Sequence, residues 1–275
     1  EDYYKTSPLW QLDNLEIVGY DPFSYTEQVV KIKYQEKECT LNVDNRSAEN
    51  NDGFDFELIG TTNAKIAKFN YDANNIPYKL YIPEKWNEYV ITEIGDEVFM
   101  DVNTEVRYII VPQTITKFGN SSFKNSSSNI QILADQIEIG SSAFEKTTNL
   151  QNFSGTIVSL SSRSFARSNI TSVNLSNSIT YIPMAAFEGS NLKDINLRSN
   201  LVTIGYSSFS GTDIENIVIP STVETIEGYA FMGTKLKEVE IPSGVKTINS
   251  SAFTSCEQLE KVQISKTVEA IDDNI

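Results

Sequence analysis

The sequence contains no histidine. That absence removes Ser-His-Asp and Cys-His nucleophile systems, imidazole general bases and imidazole metal ligands together. Cysteine is nearly missing: Cys39 and Cys256 are the only two. They fall in segments that read as separate domains, so both are expected as free thiols, and two cysteines neither indicate nor exclude an oxidising compartment. No stretch approaches the ~18 consecutive apolar residues of a membrane-spanning helix, so no direct membrane insertion is expected. Positive charge is scarce, 22 Lys and Arg against 37 Asp and Glu, for a net −15. An acidic chain repels phosphate backbones and anionic membrane surfaces, so nucleic acid is not an expected partner. The plain consequence of the charge is solubility. No glycine-rich phosphate loop or metal-ligand cluster is readable, and neither cofactor nor metal is expected. The polar run DNRSAENNDG at 44–53 invites a calcium-loop reading, but Ala48 and Ile59 would fill that loop's first and twelfth positions and supply no carboxylate.

What is abundant is apolar and aromatic mass: 40% of the chain is hydrophobic, with 14 Phe and 13 Tyr. It is arranged periodically. Leu236–Phe253 reads LKEVEIPSGVKTINSSAF, Ile214–Phe231 reads IENIVIPSTVETIEGYAF, Leu192–Phe209 reads LKDINLRSNLVTIGYSSF and Ile170–Phe187 reads ITSVNLSNSITYIPMAAF. The phenylalanine slot recurs at Phe99, Phe123, Phe144, Phe165, Phe187, Phe209, Phe231 and Phe253. Five residues before it stand Ile94, Phe118, Ile139, Leu160, Ile182, Ile204, Ile226 and Ile248, and the residue just before it is usually Ser or Ala. A period of about 22 lies in the range of leucine-rich repeats. Aligned columns of this kind stack each residue on its own copy in the next coil, which buries faces that one coil alone cannot bury.

In LKEVEI, Leu236, Val239 and Ile241 point inward, so Glu238 and Glu240 face outward by strand alternation. Pro242, like Pro112 and Pro220, lacks the N–H a ladder needs and ends its strand. The segment around each Phe is too short for a full helix, and a single helical or 3₁₀ turn is expected there. The predicted fold is a mainly β solenoid, a right-handed leucine-rich repeat superhelix of short parallel strands. It has about eight to nine coils from residue 78 and forms a domain over 55–275. The coil ending at Phe165 loses phase: Thr148 and Gln151 fall where apolar residues are due, Leu150 and Phe153 must serve instead, and a bulge is expected. The hairpin pattern within 55–77 is expected to cap the first coil, and 45–54 reads as a linker. The motif breaks off at Ile275, one residue short of the next aromatic slot, so either further chain is expected beyond it or this last coil is frayed.

Two resemblances follow from these residues. The sentence [LI]xx[IV]x[IL]P…VxxIxxxAF, recurring over Tyr78–Ile275, resembles the BspA-like leucine-rich repeats of bacterial surface proteins. Family members often carry a cysteine three residues after the Phe; here only Cys256 matches. The alternating runs in LEIVGYDPFSYTEQVVKIKYQEKECTLNV resemble the last strands of a bacterial immunoglobulin-like domain of the third group, over 1–44. The front half of such a domain is missing, so chain before Glu1 is expected; a plain β-cap is the alternative. The resemblance to surface proteins implies a secreted or surface-anchored bacterial protein, with an extracellular protein or glycan partner in host matrix or on other cells.

The corresponding functional expectation is a non-catalytic adhesion module, monomeric, that binds through the strand face of the solenoid. The outward residues singled out are Tyr108, Asn129, Gln131, Asn174, Asp194, Asn196, Asn216, Glu238, Glu240, Lys261 and Gln263, with Ile110, Ser172 and Val218 on the same columns. An alternative is a carbohydrate-active β-helix enzyme using Asp194, Glu238 and Glu240, because paired carboxylates about 5–9.5 Å apart can cleave a glycosidic bond. A third reading is a spacer with no partner at all.

Overall fold

The computed structural model describes residues 16–18, 27–34 and 37–44 as backbone strands, and 53–70, 79–102, 106–150, 153 and 155–274 in full. The chain divides into two units, 1–52 and 53–275. In the first, strands Glu16–Val18, Glu27–Tyr34 and Lys37–Asp44 form one antiparallel sheet in that order. The linker expected at 45–54 lies outside the described residues up to Asp52, and so does 71–78, where the expected cap closes and the first coil starts.

In the second unit each coil has three walls. The front wall holds the strands whose outward residues were singled out above. Lys79–Tyr81, Tyr108–Val111 and Asn129–Ile132 pair in parallel, with Tyr81, Ile110 and Gln131 in one row. Ser172–Leu175 pairs with Asp194–Ile195, and Glu238–Ile241 with Lys261–Ile264. The back wall runs through the isoleucine column as two parallel ladders, one from Tyr89–Ile94 to Thr156–Leu160 and one from Tyr181–Ile182 to Ala270–Ile271. Alternation drives both walls: Leu236, Val239 and Ile241 are buried while Glu238 and Glu240 are exposed.

The out-of-phase coil is where the walls merge. Its single strand Thr156–Leu160 pairs with Gln136–Ile139 of the back wall, and its first two residues also pair with Asn174 and Leu175 of the front wall. The register slips at Val158, so the expected bulge is present. Leu150 and Phe153 are buried in place of the missing column residues, and Phe153 meets Phe165 edge-on at 5.5 Å.

The third wall carries the phenylalanine and is neither helical nor 3₁₀, contrary to the sequence expectation. The residues two before and two after each Phe have positive φ, as at Ser121 (53°) and Asn125 (58°) or Ser207 (51°) and Gly211 (68°). Consecutive right-handed residues, which any helix needs, are therefore interrupted twice per coil. The chain instead makes tandem β-turns, with Ser122 N–H on Gly119 O, Lys124 N–H on Ser121 O and Ser126 N–H on Phe123 O. The N–H groups between them donate to the next coil: Phe187 to Ser208 O at 2.9 Å and Phe209 to Ala230 O at 2.8 Å. Half of the wall's donors thus close turns and half tie coils together.

Inside, the eight phenylalanine rings form one stack. Successive centroids lie 4.9–5.6 Å apart and interplanar angles run from 3° to 17°. Rings from Phe99 to Phe231 are fully buried. Each such ring contributes about 1.5–3 kcal/mol by burial. The strands Phe54–Ile59 and Asn63–Phe69 form an antiparallel hairpin whose second strand joins the back wall beside Tyr89–Ile94. Phe69 covers the first ring of the stack at 5.2 Å from Phe99. At the other end Val262, Ile264 and Ile271 are exposed.

The slot three residues after Phe209, Phe231 and Phe253 also has a physical role. Thr212 and Thr234 donate their hydroxyls to the Phe209 and Phe231 carbonyls at 2.9 and 3.0 Å. The Cys256 thiol reaches the Phe231 carbonyl at 3.1 Å. The threonines thus satisfy a carbonyl of their own coil, and the cysteine adds a second donor to the Phe231 carbonyl of the coil before it. No helix among the described residues is long and apolar enough to cross a membrane.

Candidate binding surface on the front wall

The outward residues of the front wall do not share one environment. At the N-terminal end Tyr108 and Gln131 are half-buried, and the Gln131 side-chain oxygen is buried without a partner. Ile110, expected on the outward row, is fully buried. Its register neighbour Tyr81 is buried too and Gln131 is half-buried, so this part of the face is closed to solvent. Asn129 is exposed, but its amide donates to the Arg107 carbonyl of the previous coil at 3.2 Å. Asn174 is held from two sides, donating to Thr156 Oγ1 at 3.1 Å and accepting from Arg198 Nη2 at 2.5 Å. Arg198 also caps the Leu175 carbonyl through Nε. These amides fasten coil to coil. Asp194 and Ser172 are exposed and sit opposite each other in the register.

The remaining six converge. Asn196, Asn216, Glu238, Glu240, Lys261 and Gln263 line one open depression of about 920 Å³. Its floor and rim include Ile217, Val218 and Pro242. Val218 is 83% exposed, more than any other large apolar side chain described. The backbone explains the depression. Front-wall pairing stops at Asp194–Ile195 and resumes at Glu238–Ile241, and residues 214–219 between them belong to no ladder. Among the described residues, Asn216, Ile217 and Val218 make no backbone hydrogen bond to either neighbouring coil. Ile219 and Ile214 still anchor this coil in the core, so the wall opens at the surface without losing its interior.

The side chains around the opening are unengaged. Asn196, Asn216, Glu240 and Gln263 make no hydrogen bond or ion pair with the described residues, unlike Asn129 and Asn174 on the same wall. Lys261 Nζ stands 4.0 Å from Glu238 Oε2, an exposed pair of little energetic weight. The charges sum to one uncompensated carboxylate beside three free amides. Such a set can donate to and accept from a polar ligand. Ser221 and Pro242, also on the lining, are not singled out by the sequence because they lie in the turns that follow each strand. No grouping of three or more His, Cys, Asp or Glu suited to a metal occurs among the described residues.

The BspA type leucine-rich repeat region, as a family model of six copies, matches residues 9–129, 65–159, 92–212 and 158–275. The chain belongs to this BspA-type family. No curated protein sequence matches it. Among solved structures, the BspA-type chain is similar to a leucine-rich cell surface protein of Faecalibacterium prausnitzii, with 21% identity and a TM-score of 0.53 over 79% of this chain. It spans 54% of that protein. A leucine-rich repeat protein of Bacteroides ovatus is similar at 17% identity and a TM-score of 0.56, over 80% of this chain and 77% of that one. At these identities the likeness establishes the shared repeat fold, and the depression on the front wall rests on this chain's own residues.

Proposed function

We propose that this BspA-type chain is a non-catalytic binding module of the bacterial surface. In this reading it holds an extracellular protein or glycan in the front-wall depression. The observation that carries the proposal is the convergence of six polar side chains, four of them unengaged, over the one described coil whose front strand joins no ladder. Groups that fasten the fold elsewhere on this wall are left free there. The F. prausnitzii protein's description as a cell surface protein supports the location. The segment 1–44 fits the same setting as the end of a bacterial immunoglobulin-like domain, and a monomer suffices because the depression is built from one chain.

The test is binding of the full chain to immobilised matrix proteins and purified glycans, with Asn216→Ala/Glu240→Gln as the variant. The variant is expected to bind roughly tenfold or more weakly, as for the central residues of an interface. Equal binding by variant and parent would overturn the proposal. So would turnover of a polysaccharide that Glu238→Gln and Glu240→Gln abolish.

A further inference from the structure

On the turn wall the chain departs from its usual handling of positive charge. Three lysines elsewhere on the solenoid each find a carboxylate one coil earlier: Lys117 on Glu93, Lys237 on Glu215 and Lys246 on Glu224, at 2.6–3.1 Å. Lys146 is neighboured by a cation instead. It stands two residues after Phe144, and Arg167 stands two residues after Phe165, so the two share a slot in adjacent coils. Both are left-handed, at φ 57° and 55°, and the Lys146 backbone N–H donates to Ala166 O at 2.8 Å. Side chains that leave matching backbones stacked in this way emerge side by side, and like charges so placed repel. Arg163, two residues before Phe165, adds a third positive charge to the same two coils.

The carboxylates nearby do not balance these charges. Glu188 of the following coil lies between the two arginines, 3.8 Å from Arg163 Nη1 and 3.9 Å from Arg167 Nη2. Neither distance is a hydrogen bond. Glu145 is buried and taken by Lys124 at 3.0 Å. Asp101, two coils before Arg163 and Arg167 reach their level, accepts the Asn125 amide at 2.7 Å. Lys124, Lys146, Arg163 and Arg167 against Glu145 and Glu188 make four positive charges to two negative, on a chain of net −15. The guanidiniums are 47% and 57% exposed, and neither they nor the exposed Lys146 ammonium make a side-chain hydrogen bond among the described residues. The slot after Arg167 is Gly189, and the Arg167 stem lies 3.3 Å from where its Cβ would be, so no side chain in that slot screens the arginine.

Unbonded cationic donors in excess of carboxylates call for an anion. Their number narrows its kind. Three cationic groups can each take one oxygen of a group with three terminal oxygens, such as a sulfate ester, whereas a carboxylate or a phosphodiester offers two. The outward neighbours in these coils are Ser141, Ser142, Ser162 and Met184, which give a nucleotide base no ring to stack on. A sulfate ester carries a single charge, so a polymer of spaced sulfates neutralises the patch without the dense charge that a strongly acidic molecule repels. We infer that Lys146, Arg163 and Arg167 form a second binding site, for the sulfate esters of an extracellular polysaccharide. The planar guanidiniums hold the sulfate oxygens in pairs, and the ammonium adds a point contact. This site shares no residue with the front-wall depression.

The full chain is titrated by calorimetry with chondroitin sulfate. Hyaluronan, which offers carboxylates alone, a mannan bearing phosphate monoesters and double-stranded DNA are titrated beside it. Chondroitin sulfate is expected to bind at least about tenfold more tightly than each of the other three. Arg163→Gln, Arg167→Gln and Lys146→Gln should each weaken it about fivefold and flatten its dependence on salt, because each removes one ion contact. Glu188→Gln removes the carboxylate that competes with sulfate and should strengthen binding about threefold; a merely structural Glu188 would give no gain. Lys237→Gln, which removes a paired charge elsewhere, should bind like the parent. Should an arginine variant fail to fold, Lys146→Gln and Glu188→Gln carry the test. Each of four results would overturn the inference: no binding of chondroitin sulfate, binding of hyaluronan or DNA as tight, binding of the phosphorylated mannan alone, or cation variants that bind like the parent.

Discussion

Phe209 lies between Phe187 at 5.5 Å and Phe231 at 5.4 Å, both nearly parallel to it, and none of its surface reaches water. Removing the ring leaves a void in a close-packed column, so Phe209→Ala is expected to cost about 3–5 kcal/mol in denaturant unfolding. Lys193→Ala, on an exposed position, should stay within about 0.5 kcal/mol. Next to the stack, the Ser208 hydroxyl is buried without a partner, while Ala186 and Ala230 hold the same position in the adjacent coils. An unpaired buried hydroxyl costs about 1–3 kcal/mol, so Ser208→Ala should raise the melting midpoint. Glu145 gives a pH signature. Burial pushes its carboxyl up, but hydrogen bonds from Lys124 and Ser142 and the charges of Lys124 and Arg163 together hold it below the ordinary 4.5. Its stabilisation is therefore complete above about pH 4.5 and is lost as pH falls through the depressed value. Unfolding of Glu145→Gln across pH should show a deficit near neutrality that closes in acid. The columns behind these expectations are legible in the sequence because a buried slot accepts one shape in every coil. The role of an outward amide is not: Asn129 and Asn174 are clasped, Asn196 and Asn216 are free, and the difference lies in what the neighbouring coil presents. Arg198 makes that difference for Asn174, and nothing in the spacing of the asparagines announces it.

At the scale of the element, strands were readable from alternation and from the prolines that stop them. The turn wall was not. Left-handed positions are normally betrayed by Gly or Asn, yet Glu97, Lys146, Arg163, Tyr229 and Ser251 occupy them here. Glu97, Lys146, Arg163 and Tyr229 each donate their N–H to a carbonyl of the next coil, so the conformation is imposed by stacking and not by local propensity. Ser207, at φ 51°, separates the two contributions. Ser207→Gly should be tolerated, whereas β-branched Ser207→Val should destabilise by more than about 1 kcal/mol in thermal or denaturant melts. The merged strand Thr156–Leu160 was foreshadowed by the lost phase at Thr148 and Gln151, since a coil that cannot fill both columns cannot keep its two strands apart. The gap in front-wall pairing had no such herald. Ile214–Ile219 carries the same [LI]xx[IV]x[IL] pattern as its neighbours, and only the backbone shows that its ladder lapses.

Across the whole solenoid, each coil is stabilised chiefly by the two it touches. Amide exchange should therefore be slowest at the stacked turn-wall donors Phe165, Phe187 and Phe209, which sit between coils on both sides. It should be faster at Lys261–Ile264, which is paired on one side alone and whose side chains are all exposed. Uniform protection along the unit would contradict this nearest-neighbour picture. Residues 216–218 should exchange quickly although Ile214 and Ile219 are buried, because their amides are bonded to neither adjacent coil. The ring stack carries a further consequence. Since each phenylalanine from Phe123 to Phe231 meets an identical ring on either side, the interior has no preferred number of layers. The length of the solenoid is then a variable that duplication or loss of one repeat can alter in fixed steps, leaving the remaining coils as they were.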